Sequence, residues 1–267
     1  MITRFAPSPT GPLHLGHAYS AMLAHDMAVE KNGTFLLRIE DIDQTRSRLK
    51  WEDQIYDDLT WLGLQWPAPV MLQSDRISVY QNTIKTFWNQ QLIYPCLCRR
   101  KDILAATSAP QESAPLIGPD GVIYPGTCRG QTAQTDSIPT AAALRLDMIK
   151  ACALAGVSSE LAHTAGDIVI SRRDMGTSYH LSVVVDDATQ GVTDVVRGKD
   201  LEDATPVHIL LQKLLGLPIP KYHHHKLIRD ENGKRLAKRD DARALSKYRV
   251  EGANPNDIRR LVGLPEV

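Results

Sequence analysis

Apolar residues near the start of the chain change period abruptly, and each change marks a new element. Ile2-Thr3-Arg4-Phe5 reads as a short strand. Pro7, Pro9, Gly11 and Pro12 then exclude regular structure. From Leu13 the spacing turns helical through Ala18, Met22, Leu23, Met27 and Ala28, and stops at Gly33. Residues 34–41 form an apolar strand that ends in acid at Glu40 and Asp41, with Asp43 just beyond. Strand, helix, strand in this order is a parallel crossover unit, and such sheets gather ligands at the carboxyl ends of their strands.

Further along, Trp51, Ile55, Leu59 and Leu62 lie on one stripe of a helix spanning about 50–62, and another helix is predicted over about 78–92. Residues 96–130 differ in texture. Pro110, Pro115, Pro119 and Pro125 alternate with Gly118, Gly121, Gly126 and Gly130, and little periodicity survives. That stretch is an insertion, too long for an ordinary loop unless something fixes it. Strands are predicted to resume at 143–146 and 167–170, and the apolar run 181–185 ends in acid at Asp186-Asp187 as another strand edge would. Residues 195–201 read as a turn into a helix over about 206–215, and 220–267 as a short helical, basic region. The expected organisation is an α/β fold with four parts: residues 1–95 and 131–219 as the two halves of a Rossmann-type parallel-sheet domain, 96–130 as the insertion, and 220–267 as the helical end.

With 43% hydrophobic and 23% charged residues among 267, the chain has the composition of a globular protein with a sizeable core. The start carries no apolar leader, being broken by Pro7, Pro9 and Pro12, and the apolar stretch 209–217 is interrupted by Gln212 and Lys213. The expectation is therefore a cytoplasmic protein with no membrane span and no feature calling for more than a monomer. Formal net charge is zero, so any nucleic-acid contact must rest on a local patch. Residues 221–260 hold twice as many Lys and Arg as Asp and Glu, which suits either an RNA backbone or a solvated helical surface.

The chemistry concentrates at Pro7-Ser8-Pro9-Thr10-Gly11-Pro12-Leu13-His14-Leu15-Gly16-His17. A helix N-terminus at a strand's carboxyl edge offers unpaired N–H groups and partial positive charge to a polyphosphate. His14 and His17, three apart, fall on one face of the first turn, and Gly16 keeps a side chain out of the way. Two imidazoles there can donate hydrogen bonds as charge builds on phosphoryl oxygens. One histidine alone would more simply cap a helix; the pair, the glycine and the preceding loop together favour a nucleotide. A second candidate, Gly233-Lys234-Arg235-Leu236-Ala237-Lys238-Arg239, is a glycine-bearing cationic loop of the kind that can close over phosphates.

Of the cysteines, Cys96, Cys98 and Cys128 fall in the insertion, where thiolates suit structural zinc better than a disulfide framework in a reducing compartment. Three sulfurs leave one position open, and Tyr124 is the nearest oxygen donor able to fill it. Three buried free thiols are the alternative.

Together the motifs resemble the glutamate branch of the class I aminoacyl-tRNA synthetases. The resemblance rests on Arg4-Phe5-Ala6-Pro7-Ser8-Pro9-Thr10-Gly11 with His14-Leu15-Gly16-His17, on Leu37-Arg38-Ile39-Glu40-Asp41-Ile42-Asp43, on Arg197-Gly198-Lys199-Asp200-Leu201, and on Tyr222 with His224. The loop 235–239 stands where the family usually has Lys-Met-Ser-Lys-Ser, with Arg235 for the first lysine, Ala237 for a serine, and Lys238 retained. The resemblance implies a class I synthetase catalytic domain with a zinc-bearing insertion and without an anticodon-binding domain, since only residues 239–267 follow Lys238. It implies glutamate bound by Arg4, Phe5, Ala6, Pro7, Ser8, Glu40, Tyr179 and Arg197. ATP, accompanied by Mg²⁺, would be bound by His14, Gly16, His17 and Lys238, with His14, His17 and Lys238 catalytic. Zinc would be held by Cys96, Cys98, Tyr124 and Cys128. An ion pair between Arg4 and Glu40 is the plainer alternative for those two. The short end and the cysteine insertion point to a paralogue that places glutamate on the queuosine base in the anticodon stem-loop of tRNA(Asp). A truncated enzyme charging the 3′ end of tRNA(Glu) and a catalytically dead RNA-binding paralogue are the alternatives.

Overall fold

The computed structural model describes residues 1–107, 117–130, 137–228 and 243–267. The chain forms two compact units, one of Met1–Asp75, Gln190–Glu202 and Pro220–Val267, the other of Arg76–Thr189 and Asp203–Ile219. In chain order the first unit opens with β1 (Ile2–Phe5), α1 (Leu15–Glu30), β2 (Thr34–Ile39), α2 (Leu49–Trp61) and β3 (Met71–Leu72). The second unit follows with α3 (Ile77–Asn89), β4 (Ile93–Cys96), α4 (Arg100–Thr107), β5 (Ile117–Gly118), β6 (Gly121–Val122), β7 (Ala143–Leu146), α5 (Met148–Ala155), α6 (Glu160–Ala165), β8 (Val169–Ser171) and α7 (Tyr179–Thr189). The chain returns to the first unit as β9 (Asp194–Gly198), adds α8 (Thr205–Leu215) to the second, and ends in the first as β10 (Lys221–His225), α9 (Leu245–Val250) and α10 (Pro255–Val262).

Among the described residues, the strands of the first unit pair in parallel. β1 pairs with β2, placing Arg4 opposite Leu36; β2 pairs with β3; and β9 pairs with β10, placing Arg197 opposite His224. The lead-in to β9 joins the edge of β1 through Thr193 N–H to Ile2 O at 2.9 Å. α1 packs on the sheet through Leu15, Ala18, Ala21, Met22, Ala24 and Ala28, whose small side chains let helix and sheet approach closely. The proline loop between β1 and α1 is held against the segment after β2: Glu40 N–H donates to Pro7 O and Arg48 N–H to Pro9 O, each at 3.0 Å. The second unit has an antiparallel sheet β4-β7-β8 and the hairpin β5-β6, so among the described residues parallel strand pairing is confined to the first unit.

Three local readings need correction. Residues 181–185 are not a strand but the middle of α7. All residues from His180 to Asp187 are buried, so the helix has no polar face and its valines imitate a strand. Its acid is structural: Asp186 accepts from Arg76 Nε and Tyr80 Oη, each at 2.7 Å. Residues 195–198 are strand β9 rather than turn, and the region expected to be helical from residue 220 opens with a strand, Lys221–His225. These two strands satisfy each other's backbone, a pairing that local pattern does not reveal.

One buried group gives the fold a pH dependence. Burial, with Asp57 alongside, pushes the Asp58 carboxyl on α2 up to about 6, against the pull of Arg249 and Gln54. A raised carboxyl favours the protonated form in the folded state, so stability is lost as pH rises from about 4 through 6. The penalty above that window is roughly 2–3 kcal/mol. Asp58→Asn is expected to raise the melting temperature by several degrees near pH 7.5 and by almost nothing near pH 4. Calorimetry at both pH values checks this; equal shifts at the two would contradict it.

Candidate active site

His14 is the N-cap of α1 and His17 its third residue, and the two imidazoles cap the helix reciprocally. Gly16 N–H donates to His14 Nδ1 at 3.1 Å, and His14 N–H donates to His17 Nδ1 at 3.2 Å. The ring centroids are 3.8 Å apart, with the planes tilted by 33°. Because both Nδ1 atoms accept, each neutral ring carries its proton on Nε2. Helix capping thus occupies one nitrogen of each ring and leaves Nε2 of each as a donor, so a helix-capping role does not use up the donors that an anionic ligand would need. A Cβ at position 16 would fall 3.0 Å from His14 Cε1 and 3.1 Å from Nδ1, which explains the glycine by close approach rather than by backbone freedom. Phe5, whose ring meets His17 edge-on at 6.4 Å, and buried Pro7 complete this wall, with Ala6 and Ser8 half-buried in the loop.

Arg4, on β1, is 5% exposed and directs Nη1 to Val196 O at 3.5 Å. Glu40, just beyond β2, pairs with Arg38 at 3.1 Å, and the same fully buried guanidinium reaches Gln190 Oε1 at 2.8 Å. Sequence alone assigns Arg38 no role. The alternation of a strand, which puts residues two apart on one face, was the signal that it would meet Glu40. Arg197 on β9 is 4% exposed. Its guanidinium lies 5.0 Å over the Tyr222 ring, and its Nε is 3.5 Å from His224 Nε2. Burial, and then the Arg197 charge, hold the His224 imidazole below its ordinary range, so near neutral pH it faces Arg197 uncharged. β1 and β9 therefore supply two buried guanidinium groups and the end of β2 a carboxylate, all within the first unit.

Lys238 lies outside the described residues, as do Arg235 and Ala237. The chain resumes beside the histidine pair: Ala244 bridges to His14, and Leu245 N–H donates to Leu13 O at 2.8 Å.

Tyr179 belongs to the second unit, where it opens α7. The cysteine cluster is in that unit too. Among the described residues, Cys96, Cys98 and Cys128 are the group whose ligand atoms all fall within 4.8 Å of one another. Cys98 Sγ is 3.4 Å from Cys128 Sγ, and Tyr124 Oη is 3.4 Å from Cys96 Sγ and 3.6 Å from Cys98 Sγ. Tetrahedral zinc with ~2.3 Å Zn–S bonds needs sulfurs about 3.8 Å apart, so the donor set fits. Burial works to raise the Cys128 thiol, but hydrogen bonds from Tyr124, the Leu97 backbone and the other two thiols outweigh it and bring it down to about 7. Burial instead pushes Cys98 up to about 11. The turn that holds Cys128 is anchored by Arg129, which pairs at 2.7 Å with Asp167; that buried carboxylate also accepts from Met148 N–H and Tyr94 Oη.

Residues 1–265 match the family model described as tRNA synthetases class I (E and Q), catalytic domain. The chain is 58% identical over 280 residues to a Glutamyl-Q tRNA(Asp) synthetase of Rhodobacter capsulatus, covering 99% of this chain and 100% of that protein. It is 39% identical to a protein of the same name from Symbiobacterium thermophilum, covering 96% of this chain and 83% of the other. The fold is shared with a glutamate tRNA ligase from Elizabethkingia meningosepticum, crystallised with its amino acid, at a TM-score of 0.75 and 24% identity. That likeness covers 98% of this chain, which spans 60% of the ligase's length.

Proposed function

The chain belongs to the class I tRNA synthetase catalytic-domain family of the E and Q type, and we propose that it activates glutamate with ATP and transfers the glutamyl group to the queuosine base of tRNA(Asp). The observation that carries this reading is the full-length match to the Rhodobacter capsulatus protein. The paired imidazoles on the first turn of α1 supply the chemistry it requires.

Free glutamate brings two carboxylates and an ammonium. Arg4 takes the side-chain carboxylate, for which a planar guanidinium fork is the matching donor. Glu40, held by Arg38, takes the ammonium. Arg197, steadied by Tyr222 and His224, takes the α-carboxylate, an assignment it shares with Tyr179. The backbone of residues 5–8 forms the floor under the substrate. The α-carboxylate then attacks the α-phosphorus of ATP in line and expels pyrophosphate. Alignment and charge neutralisation dominate such a step. The Nε2–H groups of His14 and His17 donate to the phosphates, Gly16 leaves room for them, and Lys238 adds a cation; Mg²⁺ arrives with the nucleotide. A queuosine cyclopentenediol hydroxyl next attacks the carbonyl of glutamyl-AMP, forming the ester and releasing AMP. The acyl group is already activated, so a positioned hydroxyl suffices. The basic stretch 221–260 is the surface assigned to the anticodon stem-loop, and a cytoplasmic monomer meets the demands of the reaction. Ester formation on tRNA(Asp) trimmed of its 3′ adenosine tests the acceptor.

Zinc at Cys96, Cys98, Tyr124 and Cys128 has a structural part in this reading, holding the insertion together without a core of its own. Purified protein is expected to contain about one zinc per chain and the Cys98→Ser variant well under half that, by elemental analysis. Equal zinc in both would remove Cys98 from the ligand set.

A further inference from the structure

Three elements of the second unit are joined by a polar chain, buried at its two histidines and open to solvent at its aspartate, that the activation chemistry leaves unused. Asp120 sits in the turn between β5 and β6, His180 in the first turn of α7, and His208 in α8. Asp120 Oδ1 is 2.9 Å from His180 Nε2, and His180 Nδ1 is 3.0 Å from His208 Nε2. Asp120 Oδ2 accepts from Val169 N–H at 3.2 Å, tying the hairpin turn to β8. Burial works to raise the Asp120 carboxyl, but His180, Val169 N–H and Arg145 outweigh it and hold it below the usual carboxylate range. An ionised Asp120 accepts, so His180 carries a proton on Nε2. The contact between the two rings needs one donor and one acceptor, which fixes the order of protons along the chain.

Two imidazoles at 3% and 1% exposure are costly to bury. If packing were all that was required, apolar side chains of similar volume would serve at least as well. Both histidine rings of the chain lie against Tyr179. Its ring centroid lies 5.5 Å from that of His180 and 5.6 Å from that of His208. From Thr177 to Asp187 every residue is buried except Tyr179. The turn beneath it is pinned again by hydroxyls: Ser182 Oγ donates to Ser178 O at 2.7 Å and lies 3.1 Å from Thr177 Oγ1. The start of α7 is thus fixed on its buried sides and presents one tyrosine.

The geometry points to Asp120, His180 and His208 as positioning residues that set the Tyr179 ring and thereby the enzyme's affinity for glutamate. This rests on the proposed assignment of Tyr179 to glutamate. The hairpin that bears Asp120 is part of the cysteine insertion, so the insertion acts on substrate affinity through the same chain.

The test is glutamate saturation of ATP–pyrophosphate exchange by the full chain, for Asp120→Ala, Asp120→Asn, Tyr179→Phe and the Asp120→Ala/Tyr179→Phe double variant. Asp120→Ala is expected to raise KM for glutamate about five- to tenfold while kcat and KM for ATP stay within about twofold. Asp120→Asn keeps an acceptor oxygen for His180 Nε2–H and is expected to return KM to within about twofold of the parent. In the Tyr179→Phe background, Asp120→Ala is expected to add less than about twofold. An unchanged KM in Asp120→Ala, a fall in melting temperature alone, no rescue by Asn, or independent multiplication in the double variant overturns the proposal. In each of those cases a raised KM in Tyr179→Phe leaves the glutamate assignment standing. A silent Tyr179→Phe overturns that assignment and the positioning role together.

Discussion

Arg4→Ala is expected to lower kcat/KM for glutamate in ATP–pyrophosphate exchange by about 10²- to 10³-fold or more. Arg4 is 5% exposed on β1, so a carboxylate that docks against it gives up most of its water. Removing the guanidinium leaves that carboxylate buried and uncompensated, a loss of about 3–5 kcal/mol. The loss falls mainly on KM for glutamate, and KM for ATP is expected to stay near the parent's. Arg4→Lys keeps the charge but not the planar fork, and is expected to recover only part of the activity. Arg4 also reaches Val196 O, so the melting temperature is measured alongside to separate binding from packing. An unaltered KM for glutamate in Arg4→Ala would take this residue out of the substrate site.

His17→Ala carries the second large effect, and its signature is different. A donor aimed at charge that appears only as the α-phosphorus is attacked contributes to kcat more than to KM, and loss of one such donor costs about 10²–10³ in rate. His17 also accepts from the N-cap amide, so its loss additionally weakens α1, by about 0.5–2 kcal/mol. Exchange rates at saturating glutamate and ATP, measured well below the variant's melting temperature, distinguish the two. A variant with parental kcat and reduced stability would mean that His17 only caps the helix.

The paired histidines at the start of α1 could be read from sequence because their placement is local. A strand end, a proline loop and the first turn of a helix fix His14, Gly16 and His17 within a few residues, and the structure adds which nitrogen of each ring is committed. α1, α2 and α3 lie close to the ranges set by their apolar positions. What escaped depends on residues distant in sequence. α7 has no polar face, because it is buried over its whole middle, so periodicity gave no helical signal. β10, Lys-Tyr-His-His-His, lacks the apolar alternation of a strand and takes its shape from pairing with β9. That pairing sets His224 against Arg197, a contact invisible in either segment alone. The same holds for Asp120, His180 and His208, which three separate elements bring together. The three cysteines, by contrast, were recognisable from spacing, and the fold gathers their sulfurs with Tyr124 as a donor set suited to one metal ion.

The most direct measurement uses tRNA(Asp) containing queuosine, with radiolabelled glutamate and ATP, before and after removal of the 3′-terminal adenosine. The expected result is equal glutamylation of the intact and trimmed tRNA, with the label recovered in the anticodon fragment and none on tRNA(Asp) lacking queuosine. Label that appears only on tRNA with an intact 3′ end, or no adenylate formation from glutamate at all, would contradict the account.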